Sequence, residues 1–372
     1  MSDKIFVTRS SMPPFDEYVE AIRPLWETHW ITNMGRFHED LTNKLKDYLG
    51  TTDISLCVNG HMALEMTIQA MNFPAGSEVI TTPFTFISTT HAIIRNRLTP
   101  VFCDVKASDG TIDEEKIEAL ITEKTVAIIP VHVYGNVCAV DKIAVIAKKY
   151  NLKVIYDAAH AFGERLKGKG VATFGDASVF SFHATKVFHT IEGGAVASDD
   201  ENLHHRIYNL KNFGILDEVT VEDIGANAKM NEFSAIMGLC NLRHIDEAIA
   251  ARRRNDQLYR ELLADIPGIL SFGVDNNVER NYAYFPILVD EDFPNTRDEL
   301  VEILKKHGIF ARKYFYPLTY EHDCTCQFVR TPTTVAANLS RRVITLPQYE
   351  ELTEEQIRRI VDCIKLVANK RG

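Results

Sequence analysis

Disulfide chemistry is the first thing this sequence does not support. Its seven cysteines, Cys57, Cys103, Cys138, Cys240, Cys324, Cys326 and Cys363, are odd in number and scattered over 372 residues. That usage fits reduced thiols in a cytoplasmic protein. Cys324 and Cys326 lie close to His322, but no second ligand pair follows at zinc spacing, so no metal site is expected. No apolar run reaches the length of a membrane span. The start, Met1 to Val7, lacks the apolar core and cleavage pattern of a secretory signal. Basic charge is also short: the formal net charge is −10, which argues against a nucleic-acid binder, since phosphate neutralisation needs a basic face. No Gly-x-Gly-x-x-Gly fingerprint follows the first strand, which removes the generic dinucleotide-binding oxidoreductase. Internal repeats and low-complexity tracts are missing too.

What is there is ordinary globular composition, 45% hydrophobic and 25% charged, on a chain long enough for two units. Strand and helix patterns alternate over residues 51–200, with strands at 55–58, 78–82, 100–105, 126–131, 153–157 and 177–182. The all-apolar run Val126 to Val131 suits a strand buried on both faces. This pattern predicts an α/β domain with a mostly parallel sheet. Ahead of it, helices are expected over 15–29, with Tyr18, Ile22, Leu25 and Trp26 on one face, and over 36–49 up to Gly50. Behind it come helices over 233–243 and about 245–265. Strands near 269–274, 282–289 and 311–316 follow, and residues 317–345 read as a loop region. Capping boxes at Thr296/Glu299 and Thr353/Gln356 open two late helices. The division expected is a large unit over 1–245 and a smaller C-terminal α/β unit over 246–372.

In parallel sheets, ligands collect at the carboxyl ends of the strands, and the chemically capable residues of this chain cluster there. Asn59-Gly60-His61, before a helix from Met62, offers free N–H groups and a dipole to an anion, or merely to water. Phe86 stands just past a strand end, where it could stack on a flat ring or pack in the core. Asp157 ends another strand. It could pair with a cationic ring nitrogen, or cap a helix through Ala158 and Ala159. His160 could be a core histidine or reach a ring hydroxyl. Lys186 follows the buried strand ending in Ser181-Phe182, and Glu192-Gly193-Gly194 turns into the strand 195–197.

A ring with a phosphate at one side and an aldehyde at the other satisfies all of these positions: pyridoxal 5'-phosphate. Its phosphate would lie near His61, Met62 and Ser181, its ring on Phe86, its nitrogen at Asp157 and its aldehyde on Lys186 as a Schiff base.

These residues resemble the DegT/DnrJ/EryC/StrS sugar aminotransferases, within the fold type I pyridoxal-phosphate enzymes. The likeness covers essentially the whole chain. It rests on Thr32-Asn33-Met34-Gly35, Asn59 through Leu64, Pro83-Phe84-Thr85-Phe86, Asp157 through Gly163, Ser181 through Lys186, Glu192-Gly193-Gly194, and Gly225-Ala226-Asn227 with Met230 and Glu232. The resemblance implies a seven-stranded large domain and a homodimer with shared active sites. It makes Lys186 and Asp157 catalytic together with His160. It gives cofactor contacts to Gly60, His61, Met62, Phe86, Ser181 and, across the dimer interface, Asn227.

Four positions depart from the usual pattern. His160 stands where many members have glutamine, His61 where threonine or serine is common, Lys229 where arginine is usual, and His189 where asparagine or threonine is frequent. Lys186 argues against the relatives that carry histidine at that position and act as dehydratases. Ser181-Phe182-His183 looks like members that aminate C4 of a hexose. His160 with Val187-Phe188 looks like those that make dTDP-4-amino-4,6-dideoxy-D-glucose. The implied substrates are dTDP-4-keto-6-deoxy-D-glucose and L-glutamate, in deoxyaminosugar synthesis for O-antigen or a glycosylated natural product. The alternatives are a C3-keto or a UDP- or GDP-linked sugar, and a regulatory, non-enzymatic member of the fold.

Overall fold

The computed structural model describes residues 4–369. Its largest sheet has seven strands: β1 (Ile54–Cys57), β2 (Glu78–Thr81), β3 (Thr99–Phe102), β4 (Thr125–Ile129), β5 (Lys153–Asp157), β6 (Ala177–Ser181) and β7 (Gly194–Ala197). They lie side by side in the order β1-β7-β6-β5-β4-β2-β3. Strand β7 pairs antiparallel with both neighbours, and the remaining pairs are parallel. The sheet is therefore mostly parallel, as expected. Its strands are buried on both faces because helices cover each side. Pro100 is tolerated because β3 is an edge strand, where a missing N–H breaks no ladder.

Helix ends follow local chemistry. Asn59 accepts the Met62 N–H and starts the helix Gly60–Ala70, and Gly50, at φ +68°, stops the helix Arg36–Leu49. Both expected capping boxes are present, ahead of Arg297–Lys306 and Glu354–Ala368.

Four expectations about elements are corrected. Residues 15–29 form two short helices, Phe15–Ile22 and Leu25–Thr28, because Pro24 supplies no N–H to continue the first. Residues 233–243 and 245–265 belong to one helix of 32 residues, Glu232–Leu263. The strand expected over 311–316 is instead the short Ile309–Phe310, parallel to Ile5–Phe6, followed by a turn closed by the Tyr316 N–H on Lys313 O. Residues 317–345 contain the helix Thr334–Arg342 and most of the strand Val343–Leu346.

That last strand pairs with Phe285–Val289, which also pairs with Ile269–Ser271, to make a second sheet. Helices Arg297–Lys306 and Glu354–Ala368 pack with it into a separate core containing Leu300, Ile344, Ile357 and Ile364. The helix Glu232–Leu263 joins the two cores. Ala235 and Leu239 pack in the first, Tyr259 and Leu263 in the second. Residue 245 lies inside this helix. Among the described residues no helix is long and apolar enough to cross a membrane.

Candidate active site

The parallel strands point their carboxyl ends at one edge of the sheet, and the functional side chains gather there. Asp157 is the last residue of β5 and is buried at 8% exposure. Its Oδ2 accepts the Thr89 hydroxyl at 2.7 Å, and Oδ1 accepts the Ala159 N–H at 3.1 Å. No helix follows Asp157, only a turn, so the helix-cap alternative falls. Burial pushes its carboxyl above the usual range, while Thr89, the Ala159 amide and the Lys186 charge pull the other way. A buried acid with two donors and a cation in reach is suited to carry charge once a second cation settles beside it.

His160, also buried, accepts the Tyr134 N–H on Nδ1 at 3.0 Å. That bond places the proton of the neutral ring on Nε2. Burial, and then the Lys186 charge, hold its pKa well below the usual value, so the ring is a neutral donor. Its plane stacks on Phe315 at 5.7 Å. Lys186 follows β6 and is half-buried; its Nζ donates to the Tyr284 hydroxyl at 3.2 Å. Phe86 sits at the N-terminus of the helix Ile87–Arg95 with 56% of its surface exposed. An aromatic ring left open beside buried polar groups is a ready stacking face.

The anion cradle is narrower than the sequence suggests. The Met62 N–H is already taken by Asn59 Oδ1 at 2.8 Å. The His61 ring is likewise engaged, with Nδ1 at 2.8 Å from Ser88 Oγ and Nε2 at 3.3 Å from Glu65. This leaves the Gly60 and His61 N–H groups, with the Ser181 hydroxyl at the end of β6, as the donors. Two glycines make the approach possible. A Cβ on Gly60 would stand 2.8 Å from Ser181 Cβ, and one on Gly194 would stand 2.5 Å from the Asn59 carbonyl carbon. Asn227 is exposed, in a segment whose backbone bridges to Asn212. No hydrogen bond to its side chain is made among the described residues.

Thr89, Tyr284 and Tyr134 escaped the sequence reading. Thr89 had a local signal, three residues after Phe86 and so on the same side of a helix start. Tyr284 and Tyr134 had none, since folding alone brings them to Lys186 and His160.

Taken together, these groups suit a phosphorylated aromatic aldehyde. There are helix N–H donors and a hydroxyl for the phosphate, an open ring for stacking, a buried acid for a ring nitrogen and an amine for the carbonyl.

Comparison with known proteins agrees. Residues 15–365 match the model of the DegT/DnrJ/EryC1/StrS aminotransferase family. A dTDP-4-amino-4,6-dideoxy-D-glucose transaminase of Shigella dysenteriae is 43% identical over 98% of this chain and 99% of its own length. Its namesake from Escherichia coli is 44% identical, over 97% and 98%. The crystal structure of DesI, determined in the presence of its TDP-sugar product, superposes with a TM-score of 0.95 at 33% identity and covers 100% of this chain and 94% of that one. The chain therefore belongs to the DegT/DnrJ/EryC1/StrS family of aminotransferases, whose cofactor is pyridoxal 5'-phosphate.

Proposed function

We propose that this enzyme transfers the amino group of L-glutamate to dTDP-4-keto-6-deoxy-D-glucose, giving dTDP-4-amino-4,6-dideoxy-D-glucose. The observation that carries this reading is the similarity, over nearly the full length of both chains, to two transaminases named for that product. The complete set of Lys186, Asp157 and His160 speaks against a merely regulatory role.

When bound, the cofactor supplies an electron sink for the amino-bearing carbon. This chain supplies the rest. Gly60 and His61 N–H groups and the Ser181 hydroxyl would hold the phosphate, and Phe86 would offer a stacking face to the ring. Asp157, supported by Thr89 and Ala159, would hold negative charge for the ring nitrogen, and His160 would offer its Nε2 proton to a ring oxygen. Lys186 Nζ is the amine that would hold the cofactor's aldehyde, and as a free amine it could carry the proton at the substrate carbon. Tyr284 fixes where that amine waits.

The working form is a homodimer in which Asn227 of a second copy reaches the phosphate. Two features support this. Asn227 is exposed with an unengaged side chain, and apolar residues crowd the same stretch, with Val219 93% and Ile224 91% exposed on the single chain.

The test is an NMR identification of the product formed from dTDP-4-keto-6-deoxy-D-glucose, L-glutamate and purified enzyme. An equatorial amine at C4 is expected. An axial amine overturns the gluco assignment, and no turnover with this ketone overturns the substrate.

A further inference from the structure

The loop carrying His160 is held by an amide from far along the chain. Asn281, 1% exposed, donates through Nδ2 to His160 O at 2.9 Å and to Phe162 O at 3.0 Å. Its Oδ1 accepts the Ala283 N–H at 2.9 Å. Both donor hydrogens and the acceptor are thus in use, and the side chain has one orientation that satisfies them. The backbone N–H of Asn281 donates to Glu164 Oε1 at 3.1 Å.

Glu164 is equally buried and is used by nothing in the mechanism above. Its Oε1 lies where a side chain on Gly135 would begin, since a Cβ there would be 2.4 Å away. Gly135 has φ +85° and Tyr134 φ +58°, so this turn follows a left-handed path that a glycine allows. The Tyr134 N–H donates to His160 Nδ1. The contacts therefore close on themselves, from Glu164 through Asn281 and His160 to the 134–135 turn and back. A branch leaves the ring at Ala283, which Asn281 ties down and which precedes Tyr284, the hydrogen-bond partner of Lys186. The rings of His160 and Tyr284 are 4.7 Å apart.

We propose that Asn281 and Glu164 are positioning residues, one buried amide steadied by one buried carboxyl, which together set His160 and Tyr284 for the reaction at Lys186. The proposal rests on the reading of His160 and Lys186 as cofactor contacts. Glu164 serves as an acceptor, and its charge is not required. Burial pushes its carboxyl up to about 8, against the opposing Arg280 charge and the Asn281 amide. A glutamine of the same shape should do the same work.

The experiment uses the cofactor-loaded enzyme and three variants: Asn281→Asp, which keeps the shape and Oδ1 but loses both donors, Glu164→Gln and Glu164→Ala. It reads kcat and KM for each substrate, together with the pH titration of the visible absorption of the bound cofactor. Loss of register by a fraction of an ångström to 1 Å costs up to about 10²-fold in rate. Asn281→Asp should lose roughly that in kcat, with KM for the sugar within about threefold, and should shift the absorption titration. Glu164→Gln should stay within about twofold of the parent, and Glu164→Ala should fall in the same direction as Asn281→Asp. Parent-like kcat and titration in a folded Asn281→Asp would overturn the proposal. So would a Glu164→Gln variant as impaired as Glu164→Ala. Should Asn281→Asp fail to fold, the Glu164 pair decides alone. A parent protein that retains no cofactor would sink the site reading itself, before any variant is made.

Discussion

One threonine hydroxyl works directly against the burial of Asp157. The Thr89 hydroxyl is the shorter of its two donors, and the carboxyl is otherwise desolvated. Hydrogen bonds to charged groups contribute about 1.5–3 kcal/mol. Thr89→Val, nearly the same shape, should therefore weaken cofactor binding by roughly tenfold or more while the circular dichroism spectrum stays unchanged. Equilibrium dialysis of pyridoxal phosphate measures it, and parent-like retention would show that the Ala159 amide suffices. At this scale the sequence is uneven. Lys186 and Asp157 stand out because each follows a strand and carries a reactive group. Thr89, Tyr284 and Asn281 do not, because their partners are separated from them by 68, 98 and 121 residues. Met62 shows the reverse case. Its position at a helix start pointed to an open N–H, but Asn59 takes that N–H as part of capping the same helix.

Elements were legible where one local rule dominated. The helix Val140–Tyr150 and the strand Lys153–Asp157 have the bounds that periodicity gives. The helix Thr334–Arg342 was not visible, because its buried face is only Ala336, Leu339 and Ser340, too little apolar side chain to set a period. The join within Glu232–Leu263 was also hidden, as its polar middle reads like an interruption while tertiary packing at both ends keeps the helix whole. The helix Gly60–Ala70 carries an element-scale prediction. Alanine at Gly60, the first residue of this helix, would press its Cβ to 2.8 Å from Ser181 Cβ and 3.0 Å from Ser181 Cα. Gly60→Ala should thus fold normally and lose cofactor affinity by about tenfold or more, read by the same dialysis. Unchanged affinity would mean that the gap between this helix and β6 can open without harm.

At the scale of the whole molecule, the exposed apolar stretch from Phe213 to Ile224 is the surface on which the proposed dimer can be tested. Charge placed there should oppose assembly. The double variant Val219→Asp with Ile224→Asp should sediment as a 42.1 kDa monomer and retain pyridoxal phosphate poorly, since Asn227 would then have no second copy to serve. An active dimer in that variant would move the interface elsewhere.

The strand order has a consequence for the timing of synthesis. In the seven-stranded sheet β1 pairs only with β7, so Cys57 waits for Gly194 to be made before it has a neighbour. At roughly 5–20 residues per second the ribosome leaves this gap open for on the order of ten seconds. The Asn59-Gly60 turn, backed by Gly194 in the finished sheet, stays unfinished throughout. On the proposed assignment of the phosphate donors, the nascent chain has no finished cradle until the seventh strand has cleared the exit tunnel, and cofactor capture is expected after that moment.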